Sequence, residues 1–315
     1  MARQKSNQLS LLGLNAPRLD PKAPRAERMG AVEAQHWRPR PASGSLWSVE
    51  GHRWVDVQGG ALPVLVGVDE AGRGPLAGPV SVAAVIFDPG TLFCAENAKW
   101  VGWLDDSKKI SHGRRQKLFG LITTHAAAWS IVHMHADHID RANILQATYD
   151  GMSMAVEEVL GWSGQAVQWP GRPAALRQAP FEGGQTPEQC WYSALVDAQN
   201  PPLGADRITA TGWSEALTSA LVLVDGHKPF KVAQSSAARL TQQPVVKGDA
   251  LSFHIAAASI LAKVSRDAIM AHLDGIWPEY GFAGHKGYPT VPHRTAVHTH
   301  GHSPVHRKSF KVTPP

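Results

Sequence analysis

Cysteine is scarce: two residues, Cys94 and Cys190, in a chain of 315. Far apart and alone, they make neither a disulfide framework nor a thiol metal site, which suits a reducing compartment. Long apolar runs are missing as well. No stretch reaches the roughly 18 consecutive apolar residues of a membrane-spanning helix, so no membrane is expected among the partners. Arg3 and Lys5 open the chain without an apolar segment behind them. That start does not read as a secretory signal, and a cytoplasmic location is expected. Acidic residues are in the minority, 26 Asp and Glu against 31 Lys and Arg, giving a formal net charge of +5. A mildly basic balance favours polyanionic partners without naming one. The chain also lacks a GxxxxGK[ST] phosphate loop, because its most glycine-rich turn is not followed by Lys-Ser/Thr.

What is present is enough for a folded domain with a sizeable core, with 43% hydrophobic and 18% charged residues. Residues 1–60 are expected to stand outside it. The stretch "NAPRLDPKAPRAERMG" is charged, proline-rich and without a period, so it reads as a disordered or loosely attached extension. "SLWSVEGHRWVDVQGG" could form a short hairpin or a docking segment. The catalytic domain is expected over 61–315. "LPVLVGVD" and "PVSVAAVIFD" read as neighbouring strands, "WSIVHMHA" as a third, "ALVLVD" and "QPVVKGD" as two more. Helices are expected after Ser111, over "DRANILQATYDGMSMAVEEVL", and over "AASILAKVSRDAIMAHLDGIW". The order implies an α/β fold: a mixed sheet flanked by helices, with a C-terminal helical segment. Residues 161–219, rich in Gly, Pro and Gln, read as an irregular insertion.

The chemistry gathers at strand ends. Asp69 and Glu70 close the first strand, Asp225 closes another just before Gly226, and Asp249 follows "VVKG". Taken singly, each has an ordinary explanation: a solvated turn for the first pair, a turn for Asp225-Gly226, a helix cap for Asp249. Taken together, four carboxylates at three strand ends would repel unless divalent cations sat among them. Hard carboxylate oxygens suit Mg²⁺ or Mn²⁺, and two such ions could activate water for phosphodiester cleavage. Beside the first acids runs "AGRGPLAG", whose glycines let backbone amides approach a ligand. Lys108, Lys109, Arg114 and Arg115 add positive charge that could equally be a solvated face. His298, His300 and His302 alternate, but no thiol joins them, and a zinc site is not expected.

These blocks resemble the type 2 ribonucleases H, the bacterial ribonuclease HII family. "GVDEAGRGPLAGPV" is similar to the family's opening signature, and "DDSKKIS", "IDRANILQATYDGM", "LVLVDG", "VVKGDA", "IAAASILAKVSRD", "YGFAGHKGYPT" and "HRKSF" follow in its order. The resemblance covers about 62–160 and 220–310. It implies a ribonuclease H-like fold with metal-binding catalytic acids at Asp69, Glu70, Asp225 and Asp249. It implies substrate contacts at Gly72, Arg73, Gly74, Ser107, Lys108 and Tyr288, the glycine–arginine–glycine element meeting a 2′-hydroxyl and the tyrosine a deoxyribose. The implied activity is Mg²⁺- or Mn²⁺-dependent nicking of RNA in RNA/DNA hybrids, and 5′ of single ribonucleotides in duplex DNA, by a monomer.

The chain departs from the pattern at His227, where the family often has asparagine, at "LSFHIAAAS", and in the extension and insertion, which leave room for an added partner. Two rivals are weighed against this reading. A resolvase- or transposase-like nuclease would lack the glycine–arginine–glycine turn. A non-catalytic nucleic-acid-binding module would have lost an acid.

Overall fold

The computed structural model describes residues 29–36, 48–50, 53–55, 64–160, 205–211, 219–232 and 239–315. Its centre is a six-stranded sheet built from β1 (Val64–Ala71), β2 (Val80–Ile86), β3 (Ala128–Met134), β4 (Ala205–Thr211), β5 (Ser219–Asp225) and β6 (Arg239–Val245), in the order β4-β3-β2-β1-β5-β6. β1, β2, β3 and β4 pair antiparallel, whereas β5 joins β1, and β6 joins β5, in parallel. The sheet is therefore mixed, as expected.

The β-branched runs explain the core strands: every residue of β2 and β3 is buried, so neither face meets water. Helix α1 (His112–His125) follows Ser111, whose backbone is extended as at an N-cap but whose side chain makes no capping bond. The helix expected to run unbroken from Asp140 is two helices, α2 (Ala136–Ala142) and α3 (Ile144–Val159). Asn143 divides them at φ 71°, its side chain capping α3 by accepting from the Gln146 amide.

Helix α4 (Phe253–Ile276) crosses β1 so closely that a Cβ on Gly67 would stand 2.2 Å from the His254 carbonyl carbon. A Cβ on Gly151 of α3 would meet Val82 at 3.0 Å. Gly67 pairs with Val85 and Glu70 with Val82, so Gly67 and Val82 point to opposite faces. Hence α4 covers one face of the sheet and α3 the other. The C-terminal segment is helical as expected, ending in α5 (Val291–His300). Among the described residues no helix is long and apolar enough to cross a membrane.

Three expectations change. β6 begins at Arg239 and stops at Val245, earlier than "QPVVKGD" implied; Pro244 is tolerated because β6 is the sheet's edge. Within the stretch expected to be irregular, Ala205–Thr211 forms β4 on the other edge; the remainder, 161–204 and 212–218, lies outside the described residues. Within the expected loose extension, Met29–His36 docks on the domain with Val32 and Glu33 buried; Ser48–Glu50 pairs with Arg53–Val55 in a hairpin, as that stretch suggested. Residues 1–28 lie outside the described residues.

Candidate active site

Parallel strands β1, β5 and β6 end along one edge of the sheet, and the acids stand there. β1 and β5 pair from Val64↔Ala220 to Val68↔Val224, so the next step of the register sets Asp69 across from Asp225. Asp225 in turn pairs with Val245, four residues before Asp249. Asp249 rides a 3₁₀ turn, Gly248–Ala250, whose Gly248 amide donates to Asp225 Oδ1 at 2.7 Å. β1 keeps its antiparallel pairing to β2 through Ala71, so Asp69 and Glu70 leave the sheet only on the β5 side.

All four carboxyls are held above their ordinary range. Burial pushes Asp69 well up, and the charges of Glu70 and Asp225 add to it. Burial also raises Glu70, against the pull of Arg73 and Lys108. Asp225 rises through burial and the charge of Asp106. Asp249 is pushed up to about 6, first by burial and then by Asp225 and Asp106. These mutual repulsions put the four in one electrostatic cluster and add a fifth acid, Asp106, which shares a hydrogen bond with Asp249. Asp106 stood in the quoted "DSKK" block, but with no strand end beside it nothing marked it as part of the acidic group.

Among the described residues no three acidic, histidine or cysteine side chains converge into a ready-made metal cage. The acids ring the site, each tied to a local donor: Asp69 to the Glu70 amide at 2.7 Å and Asp225 to Gly248. The donor set nevertheless fits divalent ions. It is all hard oxygen, partly desolvated and short of positive charge, which is the condition a bound cation relieves. Asp69, Glu70, Asp225 and Asp249 are the residues that would hold it.

Beside the acids runs the glycine turn, and here the sequence missed what holds it. Arg266 of α4 and Arg307 near the C-terminus are both buried, 1% and 0% exposed. Arg266 donates to the carbonyls of Pro79, Lys286 and Ala77. Arg307 donates to those of Gly78, Arg73, Pro75 and Gly72. Burial lowers both pKa values, Arg266 to about 10, and the two guanidiniums repel each other's charge. The carbonyls of the turn thus face inward onto guanidinium groups, while Arg73 and Gly74 stay exposed. Gly72 is required by position: φ is +95°, and a Cβ would lie 1.9 Å from Arg266 Nε. Gly74 is different. A Cβ there would meet nothing nearer than Tyr288 Cε1 at 3.6 Å, an ordinary contact.

The other expected residues divide. Tyr288 is 43% exposed and stands beside Gly74. Arg73 pairs with Glu70 at 3.3 Å, linking turn and acids. Lys108 is exposed and close enough to pull on Glu70, Asp225 and Asp249. Ser107 is buried, its Oγ 2.9 Å from the Ser259 Oγ, and Ser259 also bonds Asp69. Its side chain therefore reaches the acid cluster rather than open solvent. His298 and His300 lie on helix α5, so their spacing turns them to different sides.

The family model for ribonuclease HII matches residues 66–165 and 213–313. The ribonuclease HII of Chlorobium phaeobacteroides is 39% identical over 251 residues, 80% of this chain and 91% of that protein. Those of Hyphomonas neptunium and Xanthomonas campestris pv. campestris are each 37% identical, covering 79% and 78% of this chain and 94% and 75% of theirs. Among solved structures, the ribonuclease H2 of Pyrococcus horikoshii aligns with a TM-score of 0.49 at 20% identity, over 79% of this chain and 94% of that one.

Proposed function

The chain belongs to the ribonuclease HII family and is thereby an endonuclease acting on the RNA of RNA/DNA hybrids; we propose that it also nicks 5′ of a lone ribonucleotide in duplex DNA, by two-metal hydrolysis at Asp69, Glu70, Asp225 and Asp249. The observation that carries this is the ring of carboxyls with raised pKa at the ends of adjacent parallel strands, next to a turn whose outer side is exposed. Mg²⁺ or Mn²⁺, when bound, supplies the positive charge this ring lacks and lowers the pKa of water to make a nucleophile.

The chain's own residues do the rest. Asp69 is fixed by the Glu70 amide, which donates to its Oδ1, and by Ser259. Asp225 is fixed in the same way by Gly248. Gly74 leaves space for a sugar against the turn, and the 2′-hydroxyl is the group there that separates RNA from DNA. Tyr288, exposed beside Gly74, offers a flat apolar face to the next sugar. Lys108 and Arg73 supply charge for the phosphates on either side. Acids, turn and tyrosine all come from one chain, which supports a monomer as the working form. The two cysteines support a cytoplasmic setting.

The test is Asp69→Asn. An amide is a poor ligand in place of a carboxylate. Hybrid cleavage at saturating Mg²⁺ is expected to fall by a thousandfold or more, with the melting temperature unchanged or raised because a repelling charge is gone. Cleavage within tenfold of the parent would overturn the assignment.

A further inference from the structure

Residues Met29–His36 lie upstream of the matched family segment, yet Glu33 is fully buried. Its Oε1 accepts from the Ser252 hydroxyl at 2.6 Å, from the His254 amide at 3.1 Å and from His254 Nδ1 at 2.9 Å. Burial works against that charge. The bonds from His254 and Ser252 outweigh it, so the carboxyl stays below its ordinary value. Ser252 is the N-cap of α4 and accepts from the Ile255 amide, while Glu33 takes the His254 amide that the cap cannot reach. The carboxylate also sits at the positive end of a 24-residue helix.

The contacts of this segment straddle Asp249. On one side His36 Nε2 donates to Gln243 Oε1 at 3.1 Å. On the other the Gly30 amide donates to the Leu251 carbonyl at 3.0 Å. Gly30 lies against the Phe253 ring, where a Cβ would stand 2.4 Å from Cε2. Between these anchors, the turn carrying Asp249 is held by its own bonds from Ala250 to Lys247 and from Leu251 and Ser252 to Gly248. Gly248 in turn holds Asp225. The segment therefore grips both flanks of the one candidate ligand that stands beyond a strand end, against the repulsion Asp249 feels from Asp225 and Asp106.

We propose that Met29–His36 is a brace and Glu33 a positioning residue: through Ser252 and His254 it fixes the Gly248–Ser252 turn so that Asp249 meets a divalent ion. The inference rests on the acids being the metal centre. It assigns a catalytic purpose to a stretch upstream of the segment that the family model matches.

The experiment measures Mn²⁺ binding to the full-length metal-free protein by calorimetry, together with the Mg²⁺ concentration for half-maximal hybrid cleavage and a thermal melt. Three variants are compared with the parent: Glu33→Ala, Glu33→Gln and Asp225→Asn. Glu33→Gln keeps the shape and one acceptor, so it guards against a Glu33→Ala that does not fold. The brace predicts tenfold or weaker Mn²⁺ binding in Glu33→Ala and a smaller loss in Glu33→Gln. Half-saturating Mg²⁺ should rise in step, and turnover at saturating metal should largely return. A folded Glu33→Ala, or a destabilised Glu33→Gln, that binds Mn²⁺ as the parent does would make the segment a stability element only and overturn the proposal. If Asp225→Asn also binds Mn²⁺ like the parent, the metal-centre reading itself has failed, and the two failures are told apart.

Discussion

The two halves of the active site are built on opposite principles. The glycine turn is finished by the protein alone: two buried guanidiniums satisfy seven carbonyls, six of them in the turn from Gly72 to Pro79. The acid ring is left unfinished. Its members crowd one sheet edge with raised pKa values and no closed cage among the described residues. On the function proposed, the turn must be rigid before the substrate arrives, because geometry would be its means of discrimination. The acids are held in mutual repulsion that a proton or a bound cation would relieve, and on the function proposed that repulsion favours metal binding.

Removing the lock should be the costliest change to the fold. Arg307→Met orphans the buried carbonyls of Gly72, Pro75 and Gly78 and frees the part-buried one of Arg73. Each unsatisfied group costs about 1–3 kcal/mol, partly offset by removing a buried charge. A fall of roughly 10 °C in melting temperature is expected. A variant as stable as the parent would show that the turn holds itself.

Gly74→Ala sharpens the contrast from the other side. The free protein has room for the methyl, so the melt should not move. Cleavage at a lone ribonucleotide should fall tenfold or more, with binding to all-DNA duplex unchanged. Equal loss of binding and cleavage would make the turn structural rather than discriminating.

The acid ring should show itself in pH dependence. Asp249 has a folded pKa of about 6, above its unfolded value. The folded state then binds the extra proton, so stability is lost as pH rises through about 6. His306 runs the other way: its pKa of about 3, lowered by burial and by the neighbouring histidines, costs stability as pH falls. Comparing Asp249→Asn with the parent in chelator cancels that opposing effect. The variant should melt several degrees higher at pH 7.5 and converge with the parent only near pH 4, the ordinary carboxyl range. A gap that does not change with pH would mean the carboxyls feel no such repulsion.

The smallest effect is expected at the insertion. A short Gly/Ser linker in place of residues 163–203 should leave cleavage and melting nearly unchanged, since loop length costs only about 0.6 kcal/mol per doubling. Extending the replacement through residue 217 removes β4 and its ladder to β3, and should lower the melt.

Which features the sequence reveals follows from distance along the chain. Asp69, Glu70 and Asp225 were legible because each stands where an apolar strand meets a glycine, a local pattern. The sheet was legible for the same reason, through the period of β1, β2, β3 and β5. Arg266 and Arg307 were not. In sequence each is a charge in a helix or a tail, and the carbonyls that bury them lie up to 235 residues away. Glu33 was hidden in the same manner, 221 residues before His254 in a proline-rich, charged stretch that looked too polar to dock. β4 was masked by the glycine and proline around it. A polar group becomes structural through its partner, and the partner is what a linear pattern does not contain.

The most direct test is a DNA duplex carrying one ribonucleotide, incubated with the protein in Mg²⁺ or in chelator, with both ends of the nick mapped. On the 5′ side of that ribonucleotide its own 2′-hydroxyl cannot serve as nucleophile, so water must attack. The expected result is a single nick there, only with metal, leaving a 3′-hydroxyl on the DNA and a 5′-phosphate on the ribonucleotide. Cutting that persists in chelator, or a cut on the 3′ side that leaves a 2′,3′-cyclic phosphate, would contradict the metal-centred account.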